Sequence, residues 1–319
     1  MIKLLVTTKP FGHKNNAEDM LLSISPRSFN DKKCEPNKVE TISFIKRYQP
    51  ETIIAGTEPY DKEVLSHCKN LKLISRVGIG VNSVDLDECE KRNIAVTNTP
   101  DAPSNAVAEM TICQMLNLLR KIPRANTDLK NGIWNRYVGK ELQNCNVGII
   151  GQGRIGGIVT KNLMSLGRNR NKKLYVTDID KDVFQGKYRF VCSYVSIEEL
   201  LEKSDIITLH IPLNEKNKNF INKREFDIMG NNKILINTSR GGIVNEDALY
   251  DWLQDANNSA AVDTFVDEPY KGKLISCENV ILSPHLGSCT IQSRKDMEEG
   301  AAREVINYFN NKPFNNRVV

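Results

Sequence analysis

The chain has 319 residues, of which 40% are hydrophobic and 26% charged, and a formal net charge of +5. Its length predicts two domains, and its composition excludes global disorder, collagen-like repeats and coiled coil. The basic residues are scattered and no window of about 18 apolar residues occurs, so neither a nucleic-acid surface nor a membrane span is expected.

The opening segment MIKLLVTTKP is too short and too soon charged for an export signal. A cytoplasmic location is the expectation. Eight cysteines (Cys34, Cys68, Cys89, Cys113, Cys145, Cys192, Cys277 and Cys289) form no CxxC pair. No metal site is therefore expected, and the thiols read as small apolar groups.

In chain order, strands are predicted at Ile2–Thr7, Thr52–Ala55, Leu73–Val77 and Ala95–Thr97. Helices are predicted at Val39–Tyr48, Lys62–Cys68 and Leu86–Arg92. Such alternation implies parallel pairing and an α/β fold. Residues 10–37 are polar and irregular and read as a long loop or partly disordered insert. Ser104 or Asn105 is expected to cap a helix running to about Lys121, with Pro123 ending it. That helix is apolar on more than one side, which suits a domain crossing, a subunit interface or an ordinary buried helix.

A second series starts near Asn146, with strands NVGII, LYVTD, DIITLHI, ILINT, AAVDTF and NVILSPH. Helices are predicted near 155–166, 197–203 and 245–254. The stretch Leu166–Lys173 is long for a turn and is expected to bulge at the surface. Thr290–Asn310 reads as one amphipathic helix. Arg294, Lys295, Glu298, Glu299 and Arg303 should face outward, with Met297, Ala301, Val305 and Phe309 inward.

Residues 146–157, NVGIIGQGRIGG, place Gly151, Gly153 and Gly156 between a strand and a helix. In that context the glycines serve a tight turn, close approach of backbone to a pyrophosphate, and helix–strand packing. The free amides of the helix start would meet the phosphates. Asp178 lies 22 residues beyond the last glycine, where it can accept hydrogen bonds from ribose hydroxyls. It is followed by Ile179 rather than an arginine, so NAD is expected over NADP.

Carbonyl reduction by a hydride donor also needs a proton donor and a substrate anchor. Of four histidines, His13 and His67 read as surface residues. His210 and His285 end strands, where ligands bind in parallel sheets. Arg240, also at a strand end, offers a planar fork for a carboxylate or carbonyl. Glu268, on a further strand-end loop, is placed to fix a histidine tautomer and stabilise its cation.

The segments SRVGIGVNSVDL, NTPDAPSNAVAE, GIIGQGRIGG, LHIPLNEKNKNFIN, INTSRGGIVNEDAL, AVDTFVDEP and ILSPHLGS follow one another in order from residue 75 to 288. By these segments the chain resembles the D-isomer-specific 2-hydroxyacid dehydrogenases, the group containing phosphoglycerate dehydrogenase. The resemblance implies a Rossmann-type NAD domain, about 102–288, and a smaller flavodoxin-like α/β substrate domain built from 1–101 and 289–319. It implies that a cleft between the two closes over substrate. It places the catalytic trio on Arg240, Glu268 and His285. Backbone amides of Val77, Gly78 and Ile79, together with Arg240, would bind the substrate carboxylate. Cofactor contacts would fall on Gly151, Gly153, Arg154, Ile155, Gly156, Asp178, His210, Pro212, Thr238, Ser239, Arg240, Asp263, and His285 through Gly287 to Ser288. A homodimer joined through the NAD domain, and a small 2-hydroxy or 2-oxo acid as substrate, are implied in the same way.

Two departures bear on the substrate. Glu58 stands where phosphoglycerate-specific relatives tend to carry arginines, an unhelpful charge beside a phosphate. The sequence also ends at Val319, so serine feedback through added C-terminal domains is not expected. Formate oxidation would need no acid–base pair, and Glu268 with His285 speaks against it. Phosphite oxidation could use the same trio. The rival from another class is an NAD-sensing, corepressor-like interaction protein without turnover.

Overall fold

The computed structural model describes residues 2–30, 36–167, 171–180 and 192–319. Contacts divide the chain into two units, one of Met1–Pro103 with Cys289–Val319 and one of Ser104–Ser288.

The first unit holds a five-stranded parallel sheet of β1 (Leu4–Val6), β2 (Arg27–Phe29), β3 (Thr52–Ala55), β4 (Leu73–Arg76) and β5 (Ala95–Thr97), in the order β2-β1-β3-β4-β5. Every residue of β3 and β4 is buried, as a parallel sheet covered on both faces requires. Leu4, Val6, Ile54 and Leu73 point to one face, under Met297, Ala301 and Val305 of the C-terminal helix Ile291–Phe309. Leu5, Ile53, Ile74 and Val96 point to the other, under Ile45, Val64 and Leu65.

Two expectations are corrected in this unit. Residues 10–37 are not a plain insert: they contain a short helix, Ala17–Met20, and the edge strand β2, which pairs with β1. A three-residue edge strand reading RSF offers too little alternation to be recognised. The second correction is Glu298, expected outward but only 1% exposed. Its Oε1 accepts from Arg294 Nε at 2.8 Å, and its Oε2 accepts from Gly12 N at 2.7 Å and Asn15 Nδ2 at 2.8 Å. A carboxylate can be buried when its lone pairs are filled in this way. Phe309 is half-buried. The C-terminal residues run antiparallel to β5, with Val318 N donating to Val96 O at 2.7 Å, and so cover an edge that would otherwise be open.

The second unit is a seven-stranded parallel sheet of β6 (Val147–Ile150), β7 (Leu174–Thr177), β8 (Cys192–Tyr194), β9 (Ile206–Leu209), β10 (Ile234–Asn237), β11 (Ser259–Val262) and β12 (Val280–Leu282). Its order is β12-β11-β10-β9-β6-β7-β8, so the chain reverses direction between β6 and β9. Open sheets bind ligands at the carboxyl ends beside such a switch point. Helices Ser104–Arg120 and Arg154–Ser165 pack one face through Met115, Leu119, Val159 and Leu163. Helices Ile197–Lys203, Lys223–Met229 and Glu246–Trp252 pack the other through Leu200, Phe226 and Leu249.

Helix Ser104–Arg120 stops at about Lys121 as expected, but what ends it is Lys121 itself, whose φ is +54°, rather than Pro123. Pro123 instead lies in the first turn of a further helix, Ile122–Lys130, where its missing N–H is no loss. Part of the bulge expected at 166–173, residues 168–170, lies outside the described residues, as does Cys34.

His210 follows β9. Its Nε2 lies 3.0 Å from Thr208 Oγ1, while its buried Nδ1 has no partner among the described residues. Burial pushes this imidazole down from 6.5 to about 3. Between those two values the unfolded chain binds a proton that the folded chain refuses. Stability is therefore whole above pH 6.5 and lost as the pH falls toward 3, by up to about 1.4 kcal/mol per pH unit. Urea unfolding across that range should show this slope, and His210→Gln should remove it. In the first unit, Glu298→Ala strands the Arg294 cation and is expected to lower unfolding free energy by about 3–5 kcal/mol in the same assay.

Candidate active site

The glycine-rich turn leaves β6 at the switch point. Gly151 has φ +92°, and a Cβ there would lie 2.4 Å from His210 O. A Cβ on Gly156 would lie 1.9 Å from Gly151 O, so helix Arg154–Ser165 can sit against the turn only without one. At Gly153 the added Cβ would meet nothing within 4 Å. The turn is thus closed toward the sheet and open on the side where a ligand would approach. Gly153 caps the helix with no side chain, leaving the first-turn amides of Arg154, Ile155 and Gly156 without intrahelical acceptors. Asp178, just past β7, accepts from Gln152 N at 2.6 Å and Asp180 N at 3.0 Å. It holds the turn and keeps acceptor capacity for ribose hydroxyls. Pro212 lies two residues beyond His210, and its carbonyl accepts from Asn217 Nδ2 at 2.7 Å.

Three further strand ends carry the polar chemistry. After β10, Asn237 Oδ1 accepts from Ser239 N at 3.1 Å and from Ser239 Oγ at 2.7 Å, while Asn237 Nδ2 donates to Arg240 O at 3.1 Å. This bracket shapes the turn that presents Arg240. Thr238 Oγ1 lies 2.9 Å from Thr111 Oγ1. Burial pushes the Arg240 guanidinium down, opposed by the charge of Glu268. Sequence reasoning passed over Asn237. A strand ending in Asn ahead of Ser and Gly-Gly is an Asx-turn signal that could have found it.

After β11 comes the turn that carries Glu268, whose Oε1 accepts from Phe265 N at 3.0 Å. After β12 comes His285, and the two meet: His285 Nδ1 lies 2.8 Å from Glu268 Oε2 and 3.1 Å from Oε1. Burial raises the Glu268 carboxyl, but the His285 bond and charge, the Phe265 amide and Arg240 outweigh it and hold it below the usual range. His285 itself has φ +53°, and its N–H points to Asp263 O at 3.0 Å and Ser283 O at 2.9 Å.

Asp263, expected to contact cofactor, has a buried carboxylate that accepts from Ser283 Oγ, Leu286 N at 2.8 Å and Gly287 N at 2.8 Å. Gly287 is buried and Ser288 half-buried. Among the described residues no group of three or more His, Cys, Asp or Glu side chains could hold a metal ion. Among them, too, no helix is long and apolar enough to cross a membrane.

In the first unit, two of the three loop amides are spoken for. Val77 N donates to Ala55 O at 2.9 Å, and Gly78 N donates to Thr99 Oγ1 at 2.8 Å. Both were expected to face a substrate carboxylate; the half-buried residues of the loop are Ile79 and Gly80. Arg76 braces the loop through Nε to Gly80 O at 2.9 Å, and through its guanidinium to Ala55 O and Gly56 O. Glu58 is corrected as well. It is 3% exposed and turned inward, accepting from the Thr7 hydroxyl and from Tyr60 Oη at 3.0 Å. Burial, with the Glu58 charge, pushes the Tyr60 hydroxyl well up.

Comparison with known proteins bears on this arrangement. Residues 112–287 match the model of the D-isomer specific 2-hydroxyacid dehydrogenase NAD binding domain. The chain is 36% identical over 262 residues to D-3-phosphoglycerate dehydrogenase of Methanocaldococcus jannaschii, covering 81% of this chain and 49% of the relative. It is 34% identical over 261 residues to glyoxylate reductase of Thermococcus litoralis, covering 78% and 77%. It thus spans about half the length of the first relative. A solved D-lactate dehydrogenase of Aquifex aeolicus, complexed with NAD and lactic acid, is similar with a TM-score of 0.85 at 26% identity, covering 99% and 98%. On these grounds the chain belongs to the D-isomer specific 2-hydroxyacid dehydrogenase family.

Proposed function

We propose that this protein interconverts a D-2-hydroxy acid and its 2-oxo acid with NAD as hydride carrier. The observation that carries this reading is the 2.8 Å pair of His285 Nδ1 and Glu268 Oε2 at adjacent strand ends of the glycine-turn unit. The open face at Gly153, the uncapped helix start and Asp178 fit a dinucleotide. When bound, the nicotinamide gives or takes a hydride at the substrate's C2.

The chain's own residues do the rest. Glu268 holds Nδ1, so proton exchange with the substrate oxygen falls to Nε2 of His285. In reduction the imidazolium gives that proton to the developing alkoxide; in oxidation the neutral ring takes it back. Arg240 supplies a planar cation for the carboxylate and the reacting carbonyl. In the first unit, the Ile79 and Gly80 amides are the proposed carboxylate donors. The inward turn of Glu58 takes away the charge argument against a phosphorylated substrate, so phosphorylated and unphosphorylated 2-oxo acids both belong in the assay.

A homodimer forms part of the proposal. The segment after helix Ser104–Arg120 exposes Ile133, Trp134 at 81% and Val138 at 90%. Apolar side chains so grouped mark an association surface, and a second copy of the same chain is the commonest partner of such a surface.

NADH oxidation is to be followed over a panel of 2-oxo acids. His285→Ala is expected to lower kcat by about 10²–10⁴-fold while leaving NADH affinity nearly intact. Loss of NADH binding along with turnover would contradict a purely chemical role. Absence of turnover in the wild type, with NADH bound, would favour the corepressor-like alternative. In light scattering the wild type should be a dimer, and the double variant Trp134→Asp, Val138→Asp a monomer. A monomeric wild type would refute the assembly.

A further inference from the structure

Arg240 and Glu268 leave different strands, yet each feels the other's charge. Their separation depends on how two turns lie together. Backbone meets backbone there: a Cβ on Gly241 would stand 1.9 Å from Phe265 O and 2.6 Å from Val266 N. Gly241 thus lets the turn after Arg240 press against the peptide joining Phe265 and Val266. Two carboxylates hold this stretch. Glu268 Oε1 accepts from Phe265 N at 3.0 Å, from within the loop. Glu246 Oε1 accepts from Val266 N at 2.9 Å, from 20 residues away.

Glu246 opens helix Glu246–Trp252, the first helix after the Arg240 turn. A carboxylate in a first turn commonly serves its own helix. Here Asn245 caps the helix, its Oδ1 accepting from Ala248 N at 2.9 Å, and Asp247 Oδ1 accepts from Lys273 Nζ at 2.9 Å. Glu246 is the one that crosses to the neighbouring loop. Its place is unfavourable for a charge: burial, with Asp267 and Asp247 close by, raises its carboxyl against the pull of the Val266 amide. The bond to Val266, rather than the charge, is what this position supplies.

We propose that Glu246 is a positioning residue of the site: by accepting from Val266 N it fixes the Glu268 turn against the Arg240 turn, and so sets where the Glu268 carboxylate meets the His285 ring. It acts through backbone, as a supporting bond that holds a site in register. Turnover as a readout rests on the proposed reaction, whereas the state of the His285 ring does not.

The test crosses two variants. Glu246→Asp keeps the charge and an acid in the first turn but is one methylene short of Val266. Glu246→Gln loses the charge and keeps the reach and the acceptor. Two readouts are taken. The first is the pair of ring 15N signals of His285, assigned against His285→Ala and recorded without cofactor, which report whether Nδ1 meets a carboxylate. The second is kcat and KM for a 2-oxo acid, together with NADH affinity. In Glu246→Asp the ring signals should move and KM should rise. Its kcat should fall about tenfold, less than the effect of a misplacement near 1 Å, with NADH affinity within about twofold. Glu246→Gln should match the wild type in all of these. Glu246→Ala takes the place of Glu246→Asp should the latter fail to fold. Ring signals unmoved in the folded Asp or Ala variant overturn the proposal. So does a loss in Glu246→Gln that matches the loss in Glu246→Asp, since the charge and not the bond would then be at work. A wild type without turnover would remove the proposed reaction, and the ring signals would still decide the role of Glu246.

Discussion

The bond between His285 and Glu268 is the constraint from which the rest of the second unit can be read. Neither residue is near the other in sequence, and neither lies within a strand. They meet because β11 and β12 are parallel neighbours in register, Val262 beside Leu282, so the chain emerges from both on the same side. A parallel sheet delivers every strand's exit to one edge. Arg240 leaves β10 on that edge, His210 leaves β9, and the glycine turn leaves β6. Antiparallel pairing of any one of these strands would send its functional residue to the opposite end. The polar side chains here thus depend on apolar ones: Ile207, Leu235 and Ala260 hold the strands that aim them.

Charge along this edge is arranged by burial as much as by partners. Glu268 is held ionised by His285, by an amide and by Arg240, against a burial cost. Arg240 feels that cost from the other side. His210 leaves a strand of the same sheet and is kept neutral by enclosure. One edge of one sheet therefore holds a fixed anion hydrogen-bonded to the His285 ring, a fixed cation and a neutral imidazole. The separation comes from burial at His210 and Arg240 and from donors and cations only at Glu268.

Much of this was legible in the sequence because its signals are local and repeated. A strand, three glycines and a helix in fixed spacing announce a phosphate turn from residue types alone. Apolar runs such as IIT and ILIN can be read as buried strands without knowing their neighbours. Besides the helices Ile122–Lys130 and Lys223–Met229, what sequence reading missed includes features of two kinds. Strands β2 and β8, of three residues each, lie at sheet edges where periodicity has no room to show. Glu298 and Glu58 were misjudged for a different reason. Each is a carboxylate buried by donors that include a distant segment, Gly12 and Asn15 for the first, Thr7 beside the local Tyr60 for the second. A side chain's charge can be read from sequence, but how many amides converge on it cannot.

The way the first unit is closed has an effect on its birth. Leu4, Val6, Ile54 and Leu73 line a sheet face packed in part by Phe11, Ala17 and Leu21 and completed by Met297, Ala301 and Val305, so the second part of that cover is made only after the whole of 104–288. The second unit, Ser104–Ser288, needs nothing from outside its own span to complete its two core layers. Synthesis therefore presents a finished nucleotide-type domain attached to an unfinished sheet, whose apolar strands wait for their lid while the whole second unit is translated. Nascent strands in that condition are the ones chaperones meet.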